Sequence, residues 1–319
     1  MENFFELILW PLKWAIEALL ALWHNLFTGL GLETNSGAVW VLSILGVVLV
    51  VRAVLIPLTI KQIKSQRKML EVAPKIRKIQ GKYKNKKDQY SREAMNREVM
   101  AMYKETGTNP FTSCLPILVQ MPVFFSMYFV LKGASEGQNG IGFLTHELAQ
   151  SFSEAVFLGA PIRMTFSQGI ETGNVLVAIF LGVIMALMVV SQFFSQKQIL
   201  SKNISDETKQ SPMYRQQQML MYILPFMFLI SGFVFPLALN IYWLLSNMWT
   251  IGQQAIVINA MPNPGSEAWR KREARLRAKG KLPANTAEIA AGDTEQQVKS
   301  GQRQQPVSGK RAKKKRDKK

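Results

Sequence analysis

Apolar residues occur in long runs along this chain, and the charged residues lie between the runs. Each of five runs is close to the roughly 20 residues that a helix needs to cross about 30 Å of hydrocarbon. The last two runs are separated only by a turn at Pro236, which predicts a tight helical hairpin. The pattern therefore predicts an all-α polytopic membrane protein with five transmembrane helices, at residues 39–60, 112–131, 175–194, 220–236 and 237–259.

The first 36 residues are also apolar, but they carry a polar stripe. Glu6, Lys13, Glu17 and His24 follow spacings of 7, 4 and 7 residues. On a helix these four residues share a stripe about 40° wide. We therefore predict that residues 1–36 form an extracytoplasmic amphipathic helix in the membrane interface. Its apolar face would turn toward lipid with Phe, Leu and the tryptophans Trp10, Trp14 and Trp23, together with Trp40 just beyond the helix. A sixth span is the alternative, and it would break the parity of the charges described next.

The balance of charge supports this class and gives an orientation. The chain has 39 Lys and Arg against 21 Asp and Glu, yet 48% of its residues are hydrophobic, which is unusual for a soluble domain. The loop 132–173 holds 2 basic and 4 acidic residues. Three other segments are basic. Residues 61–108 hold 14 basic and 5 acidic residues, residues 195–218 hold 4 and 2, and residues 260–319 hold 17 and 6. The positive-inside rule then predicts that the N-terminus is outside and the C-terminus is cytoplasmic. The lack of an Arg/Ser-rich transit peptide favours a bacterial plasma membrane.

The basic segment 61–108 has a pattern of its own. Residues 61–83 and 91–105 are rich in strong helix formers and are joined by a turn-like stretch at 84–88, which predicts a cytoplasmic helical hairpin. The second helix has one apolar face at helical spacing, made of Met95, Val99, Met102 and Tyr103. This face either holds the two helices together or receives substrate, since flexible Met-rich surfaces do both.

Arg52 is the residue whose position says most about function. It lies about eight residues from the cytoplasmic end of the first predicted span, roughly 12 Å deep. An arginine at the centre of a bilayer costs from about 2.5 to over 10 kcal/mol, so it needs a polar cavity or a partner. No Asp or Glu occurs inside the five predicted spans. Either Arg52 lines a water-filled cavity and attracts acidic groups from elsewhere, or it anchors to helix carbonyls.

Polar residues of other spans are candidates for the walls of such a cavity. On the fifth span Asn240, Trp243, Asn247 and Thr250 share one helical face, and Thr59 shares the face of Arg52. Gln120, Ser191 and Gln192 lie toward the cytoplasmic side of their spans. Taken singly, each of these residues is as well explained by a hydrogen bond between helices. The predicted groove residues are Arg52, Thr59, Gln120, Gln192, Trp243 and Asn247.

Several short motifs, in a fixed order, carry a resemblance to a known family. In the first half they are Val51-Arg52, Ile56-Pro57-Leu58, Lys61-Gln62, Ser65, Met69, Tyr103-Lys104, Asn109-Pro110, Cys114-Leu115-Pro116 and Gln120-Met121-Pro122. In the last hairpin they are Pro236, Tyr242-Trp243, Ser246-Asn247 and Gln253-Gln254. Over about 39–259 the chain resembles the YidC/Oxa1/Alb3 family of membrane protein insertases. The lack of a large extracytoplasmic domain before the first core span, together with the basic tail, resembles the Gram-positive and particularly the actinobacterial form.

The resemblance implies a function that composition alone does not. Family members insert and help fold new membrane proteins, alone or with the Sec translocon, through a hydrophilic groove open to cytoplasm and bilayer. By motif, Arg52 would be the groove arginine, Gln192 and Trp243 would line the groove, and 61–105 would be the cytoplasmic hairpin. At Ala238 the chain departs from a glycine common in the family, and Asn240 has no counterpart. Such a protein needs no cofactor and is not an enzyme, and no P-loop or nucleophile motif occurs.

Other classes compete with this interpretation, and composition excludes some of them. One cysteine, Cys114, and two histidines argue against a disulfide framework and a Cys/His metal site. A small-solute transporter usually shows inverted repeats and intramembrane acids, which are absent from the sequence. A structural membrane subunit remains as the other alternative.

The C-terminal tail is a separate cytoplasmic segment, at 260–319. Residues 266–279 are predicted to form a basic helix with Ser266 as its cap, and 282–308 are polar and predicted to be disordered. The chain ends in a dense basic cluster at 310–319. Such a cluster suits ribosomal RNA, whose phosphates release counterions on binding, and suits anionic lipid equally.

Overall fold

A computed structural model describes residues 2–86, 88–109, 115–202, 204, 209, 212–263 and 265–280. Long helices dominate these residues, and the one sheet in them has two short strands, which confirms the all-α polytopic class. The elements, in our numbering, are α1 Glu2–Gly29, α2 Gly37–Lys82, α3 Gln89–Glu105, α4 Leu115–Ser135, α5 His146–Glu154, β1 Val156–Phe157, β2 Ala160–Pro161, α6 Phe166–Glu171, α7 Val175–Lys202, α8 Pro212–Val234, α9 Leu237–Ala260 and α10 Glu267–Ala278.

Four helices in this part of the chain are long and apolar enough to cross a membrane. They are Leu7–Gly29 in α1, Gly37–Ser65 in α2, Leu118–Ser135 in α4 and Val175–Lys202 in α7. The two helices of the last hairpin form as predicted but are not among these four, and the polar residues of α9 lower its hydropathy. The count of five spans therefore stays a prediction. The start of the second predicted span, at 112–114, lies outside the described residues.

The bundle is held together by one apolar core. Helix α9 packs against α7 and α2, α7 packs against α8, and α1 packs against α2 and α4. The core lies toward the end of the bundle where the segment 144–162 joins the helices. Its largest fully buried side chains include Trp40, Ile44, Leu131, Leu144, Phe152, Ile162, Leu181 and Leu237.

The hairpin predicted at 61–108 begins as a direct extension of the first span. Helix α2 runs without interruption from Gly37 to Lys82 and contains Pro57 and Pro74. The part of α2 beyond the predicted span buries four apolar residues at helical spacing, which are Met69, Val72, Ile76 and Ile79. The apolar face of α3, described above, is half-buried, and α3 packs against α2. These contacts favour the interpretation in which the methionines hold the two helices together.

The ends of the hairpin are joined by polar contacts. The Glu98 carboxylate accepts hydrogen bonds from Lys82 Nζ at 3.1 Å and from the Tyr83 hydroxyl at 2.9 Å. Asp88 caps the start of α3, since its carboxylate accepts from the Ser91 N–H at 2.8 Å. A helix cap and two hydrogen bonds between the helices therefore stabilise the turn.

Two residues of the polar stripe of α1 are buried inside the protein. Glu17 and His24 are only 2% and 1% exposed, because each finds polar partners inside the protein. The Glu17 carboxylate accepts from the N–H groups of Ile141 and Gly142, at 3.0 and 2.8 Å. His24 Nε2 lies 3.0 Å from the Thr34 carbonyl oxygen, and its ring stacks on Trp40 at 4.0 Å.

The tryptophans of this region divide in a way that the sequence did not predict. Trp40, expected to face lipid, is fully buried against His24 and Phe152. Trp10 and Trp14 do remain exposed. Helix α1 is thus packed onto the bundle along its polar stripe.

Backbone carbonyls of the segment after β2 accept hydrogen bonds from the first N–H groups of α9. The N–H groups of Leu237 and Ala238 donate to the carbonyls of Met164 and Ile162, both at 2.9 Å. These bonds satisfy two of the donors that a helix leaves unpaired at its N-terminus. Ala238 is fully buried, at the position where the chain departs from the family pattern.

Residues 1–269 form one compact unit and residues 270–319 form another. The described part of the second unit belongs to α10, in which Arg277 pairs with Glu273 at 2.8 Å. Within the first unit, the Trp269 N–H donates to Ser266 Oγ at 3.2 Å, so Ser266 caps α10 as predicted. Residues 281–319, with the predicted disordered stretch and the basic cluster, lie outside the described residues.

Candidate functional site

Arg52 lies in a narrow crevice between α2, α4 and α9. The crevice has a volume of about 10 Å³, roughly the space that one water molecule needs. Apolar side chains of α1, α2 and α4 form most of its wall, and four polar residues complete it. The lining residues are Ile16, Val47, Val48, Val51, Arg52, Gln120, Val123, Met127, Tyr242 and Ser246. Two of the predicted groove residues, Arg52 and Gln120, therefore meet here.

The guanidinium of Arg52 has a single hydrogen-bond acceptor among the described residues. Its Nη2 lies 3.5 Å from the carbonyl oxygen of Ser246, a long contact. An arginine side chain carries five N–H donors, so most of its donor capacity is unused. No carboxylate pairs with it in the part of the chain that the structure describes. The site is therefore a half-buried positive charge with unused N–H donors.

Tyr242 completes the polar side of the crevice. Its side chain interacts with those of Gln120 and Ser246, and it lies close enough to Arg52 for a direct electrostatic interaction. One tyrosine therefore connects α4 and α9 beside the guanidinium. The apolar valines on the opposite wall keep the local dielectric low, which strengthens the pull of Arg52 on a negative charge.

Tyr242 and Ser246 were not among the predicted groove residues. They lie one residue before Trp243 and Asn247, which were, and one residue turns a helix by about 100°. The structure therefore turns a neighbouring face of α9 toward Arg52. Tyr242 and Ser246 are four residues apart and share a face, which is the signal that could have found them.

Trp243 and Thr59 make contacts of a structural kind. The Trp243 ring stacks on Phe124 with 5.3 Å between centroids and packs edge-on against Phe235 at 5.4 Å. Thr59 Oγ1 donates to the Leu55 carbonyl of its own helix at 2.9 Å. Trp243 thus joins α9 to α4 beside the crevice, and Thr59 satisfies its hydroxyl locally.

Asn247 belongs to a polar seam between α7 and α9. Asn247 Nδ2 donates to Ser191 Oγ at 3.4 Å. Two turns further along α9, Gln254 Oε1 accepts from Ser195 Oγ at 3.1 Å. Gln192 is buried on α7 next to this seam in sequence. For Asn247 the structure therefore shows the alternative role, a hydrogen bond between helices.

Asn240 has a role at the turn of the last hairpin. Its side-chain amide donates to the carbonyls of Phe235 and Pro236, at 3.0 and 3.2 Å. The side chain is fully buried. These bonds tie the end of α8 to the first turn of α9 and explain an asparagine that has no counterpart in the family motif.

Comparisons with known proteins agree on one family. The family model described as 60Kd inner membrane protein matches residues 31–264. A protein of Tropheryma whipplei strain Twist, named membrane protein insertase YidC, is 42% identical over 318 residues, covering 98% of this chain and 97% of its own length. A protein of the same name from Bifidobacterium longum is 35% identical, covering 96% of this chain and 94% of its own length. Another from Streptomyces avermitilis is 40% identical, covering 84% of this chain and 61% of its own length.

Proposed function

The chain belongs to the 60Kd inner membrane protein family, the YidC/Oxa1 membrane protein insertases, and we propose that Arg52 marks the polar entry of its substrate path. Its function is the insertion of newly made membrane proteins, and it is a multi-pass protein of the bacterial membrane. Insertion breaks no covalent bond in the substrate.

The observation that supports the proposal is the unpaired charge of Arg52. A buried or half-buried guanidinium is costly unless it is paired or wet. Here it meets one distant carbonyl and a crevice with room for about one water. A short hydrophilic segment of a substrate, carrying Asp or Glu, would supply the missing partner. Since the crevice is narrow, it has to widen between α2, α4 and α9 when such a segment enters.

The apolar segment of the substrate takes a different route. Helix α7 exposes a continuous apolar stripe of four residues. Each is about half exposed or more, and they are Ile179, Val183, Leu187 and Val190. A hydrophobic substrate helix can pack along this stripe while it leaves water. Burial of its apolar surface in hydrocarbon drives the transfer, at roughly 25 cal/mol per Å². Partition of the apolar segment then releases the acidic segment from Arg52.

We also propose the orientation and the partners. An N-terminus outside and a cytoplasmic C-terminus fit the basic segments, and the crevice would then open to the cytoplasm. The protein would act alone or with the Sec translocon. The basic tail would contact ribosomal RNA or anionic lipid, both of which suit its 17 Lys and Arg residues.

Reconstitution tests the proposed path directly. Proteoliposomes that contain only this protein should insert a single-span substrate with a short acidic N-terminal tail, measured as a protease-protected fragment. Liposomes without the protein give the background. The groove proposal fails if insertion proceeds equally well when the acidic residues of the tail are neutralised and when Arg52 is replaced by alanine.

A further inference from the structure

The turn between β1 and β2 has an unusual residue at its tip. Leu158 and Gly159 are the two central residues of the turn, and both have a positive φ, 50° and 85°. Leu158 is the one non-glycine residue with a positive φ among those that the structure describes. A bulky side chain is strained in this region, and hairpin turns of this kind prefer Asn or Gly there. The leucine is therefore retained despite its backbone conformation.

The side chains of this hairpin divide between two directions. Phe157 points inward, where its ring meets Phe180 of α7 edge-on at 6.1 Å. Its neighbours Val156 and Leu158 point outward and are 48% and 71% exposed. This alternation follows from the pleat of a strand. The strained leucine thus belongs to an outward apolar face, which no other part of the described chain covers.

The hairpin is fixed at the ends of two candidate membrane spans. Val156 forms a bridge with Ser36, and a side chain at Gly37 would clash with the main chain of Val156. At the other end, a Cβ on Gly159 would lie 2.8 Å from Leu176 Cδ2. Gly37 begins α2 and Val175 begins α7, and both helices are long and apolar enough to span. The tip therefore lies at the level where the two spans begin.

We propose that the tip of the β1–β2 hairpin, Val156 with Leu158, inserts into the outer leaflet of the lipid bilayer. The tip continues the apolar stripe of α7, since Val175 and Leu176 are 67% and 59% exposed beside it. Lipid covers an apolar surface that is continuous with a membrane span, whereas water would leave that surface unfavourably hydrated. The turn itself does not favour a bulky residue with a positive φ. Such a residue is expected where its side chain has a function. This inference rests on the membrane location and the orientation proposed above, and it does not depend on Arg52.

Spin labels in proteoliposomes test the location of the tip. In a Cys114→Ser background, which removes the one native cysteine, single cysteines are placed at Val156 and at Leu158 and carry the label. Accessibility to oxygen, which concentrates in lipid, is compared with accessibility to a polar nickel chelate. The exposed Ile179 of α7 is the reference for lipid, and the exposed Glu147 of α5 is the reference for water.

The inference expects the oxygen-to-nickel ratio at both tip positions to be several times that at Glu147 and to approach that at Ile179. A ratio like that of Glu147 at both positions would place the tip in water and overturn it. Low accessibility to both reagents would show that protein covers the tip, either a second copy or another partner, and would overturn it equally. Val156 decides the outcome if a label at Leu158 disturbs the turn.

Discussion

Arg52 and Thr250 meet at one carbonyl oxygen, that of Ser246 on α9. The guanidinium Nη2 approaches it at 3.5 Å, and the Thr250 hydroxyl donates to it at 2.8 Å. The short bond belongs to Thr250, so Arg52 is the weaker of the two donors. Of the two alternatives that the sequence left open, this contact is the anchoring of Arg52 to a helix carbonyl. The exchange of that carbonyl for a carboxylate of a substrate stays a prediction.

Replacement of Arg52 by alanine should selectively impair substrates with acidic tails. The lost attraction between charges need amount to only about 1.4 kcal/mol to lower their insertion tenfold. Arg52→Lys should keep part of the activity, because a positive charge remains although the fork of N–H donors is lost. Protease protection in proteoliposomes, with matched acidic and neutral tails, measures the difference.

The matched control for this variant is Arg215→Ala. Arg215 is exposed on α8, so its removal takes away one positive charge without touching the crevice. It should leave both substrates unaffected. Equal loss for acidic and neutral tails in Arg52→Ala would instead indicate a general structural role.

Tyr242→Phe should weaken the same selectivity to a smaller extent. The hydroxyl interacts with the side chains of Gln120 and Ser246, and its loss leaves both without that partner beside Arg52. We expect a loss of stability of about 1 kcal/mol, typical of one hydrogen bond, and a few-fold loss of insertion for acidic tails alone. Thermal unfolding in detergent and the same protection assay provide the two readouts. Tyr222→Phe, at an exposed position on α8, should change neither.

The sequence predicted the helices better than it predicted the contacts between them. Hydropathy located α2, α4 and α7, because length and composition alone decide a span. The uninterrupted α2 was not predicted, since a change from apolar to basic residues at Lys61 marks the membrane boundary and not a helix end. The contact of Arg52 with Ser246 joins residues 194 apart in sequence. Which face of α9 meets α2 depends on packing, and a rotation of about 100° separates Tyr242 from Trp243.

Helix α1 shows the same limit for polar residues. Periodicity correctly placed Glu17 and His24 on one stripe of α1, but it did not show which partners that stripe meets. The backbone N–H groups of Ile141 and Gly142, which bind Glu17, belong to a loop more than 100 residues later. An amphipathic pattern shows which face is polar, and only the tertiary structure shows what that face meets.

Single cysteines should report whether the polar seam between α7 and α9 is wet from one side. In a Cys114→Ser background, cysteines at Asn247 and Gln192 should react with a polar maleimide added on the cytoplasmic side and resist reagent added outside. Asn247 is half-buried and Gln192 is buried, so Asn247 should react faster. Labelling from both sides would indicate a pore. Labelling of neither position would favour a dry helical bundle and contradict a groove open to the cytoplasm.

The hairpin of α2 and α3 should loosen in acid through Glu98. The hydrogen bond from the Tyr83 hydroxyl, and after it the bond from Lys82, lowers the pKa of Glu98 below its ordinary value of 4.5. A lowered pKa in the folded state stabilises the hairpin above the ordinary value, and this contribution disappears as the pH falls through the lowered one. Amide hydrogen exchange in α3 should therefore be faster in Glu98→Gln than in the wild type at pH 7.

That difference should shrink as the pH falls below the ordinary pKa of Glu98, and it should vanish only below the lowered pKa of the folded state. Comparison of the two proteins at the same pH cancels the intrinsic dependence of exchange on pH. Glu93→Gln is the control, because among the residues that the structure describes Glu93 accepts only from Gln89 within α3 and makes no bond across the hairpin. A difference between wild type and Glu98→Gln that persists unchanged at low pH would show that the variant acts through something other than the charge.

Removal of the tail should separate its two proposed partners. Deletion of residues from Gly280 onward removes the basic cluster at 310–319 and leaves the first unit, residues 1–269, intact. The truncated protein should co-sediment less with ribosomes in detergent, where no lipid surface can contribute. Binding of the full chain should weaken steeply with salt, because each contact with a phosphate releases counterions. If the truncated chain binds ribosomes as well as the full chain does, the tail serves anionic lipid instead, and its loss should then lower binding to vesicles that contain anionic lipids.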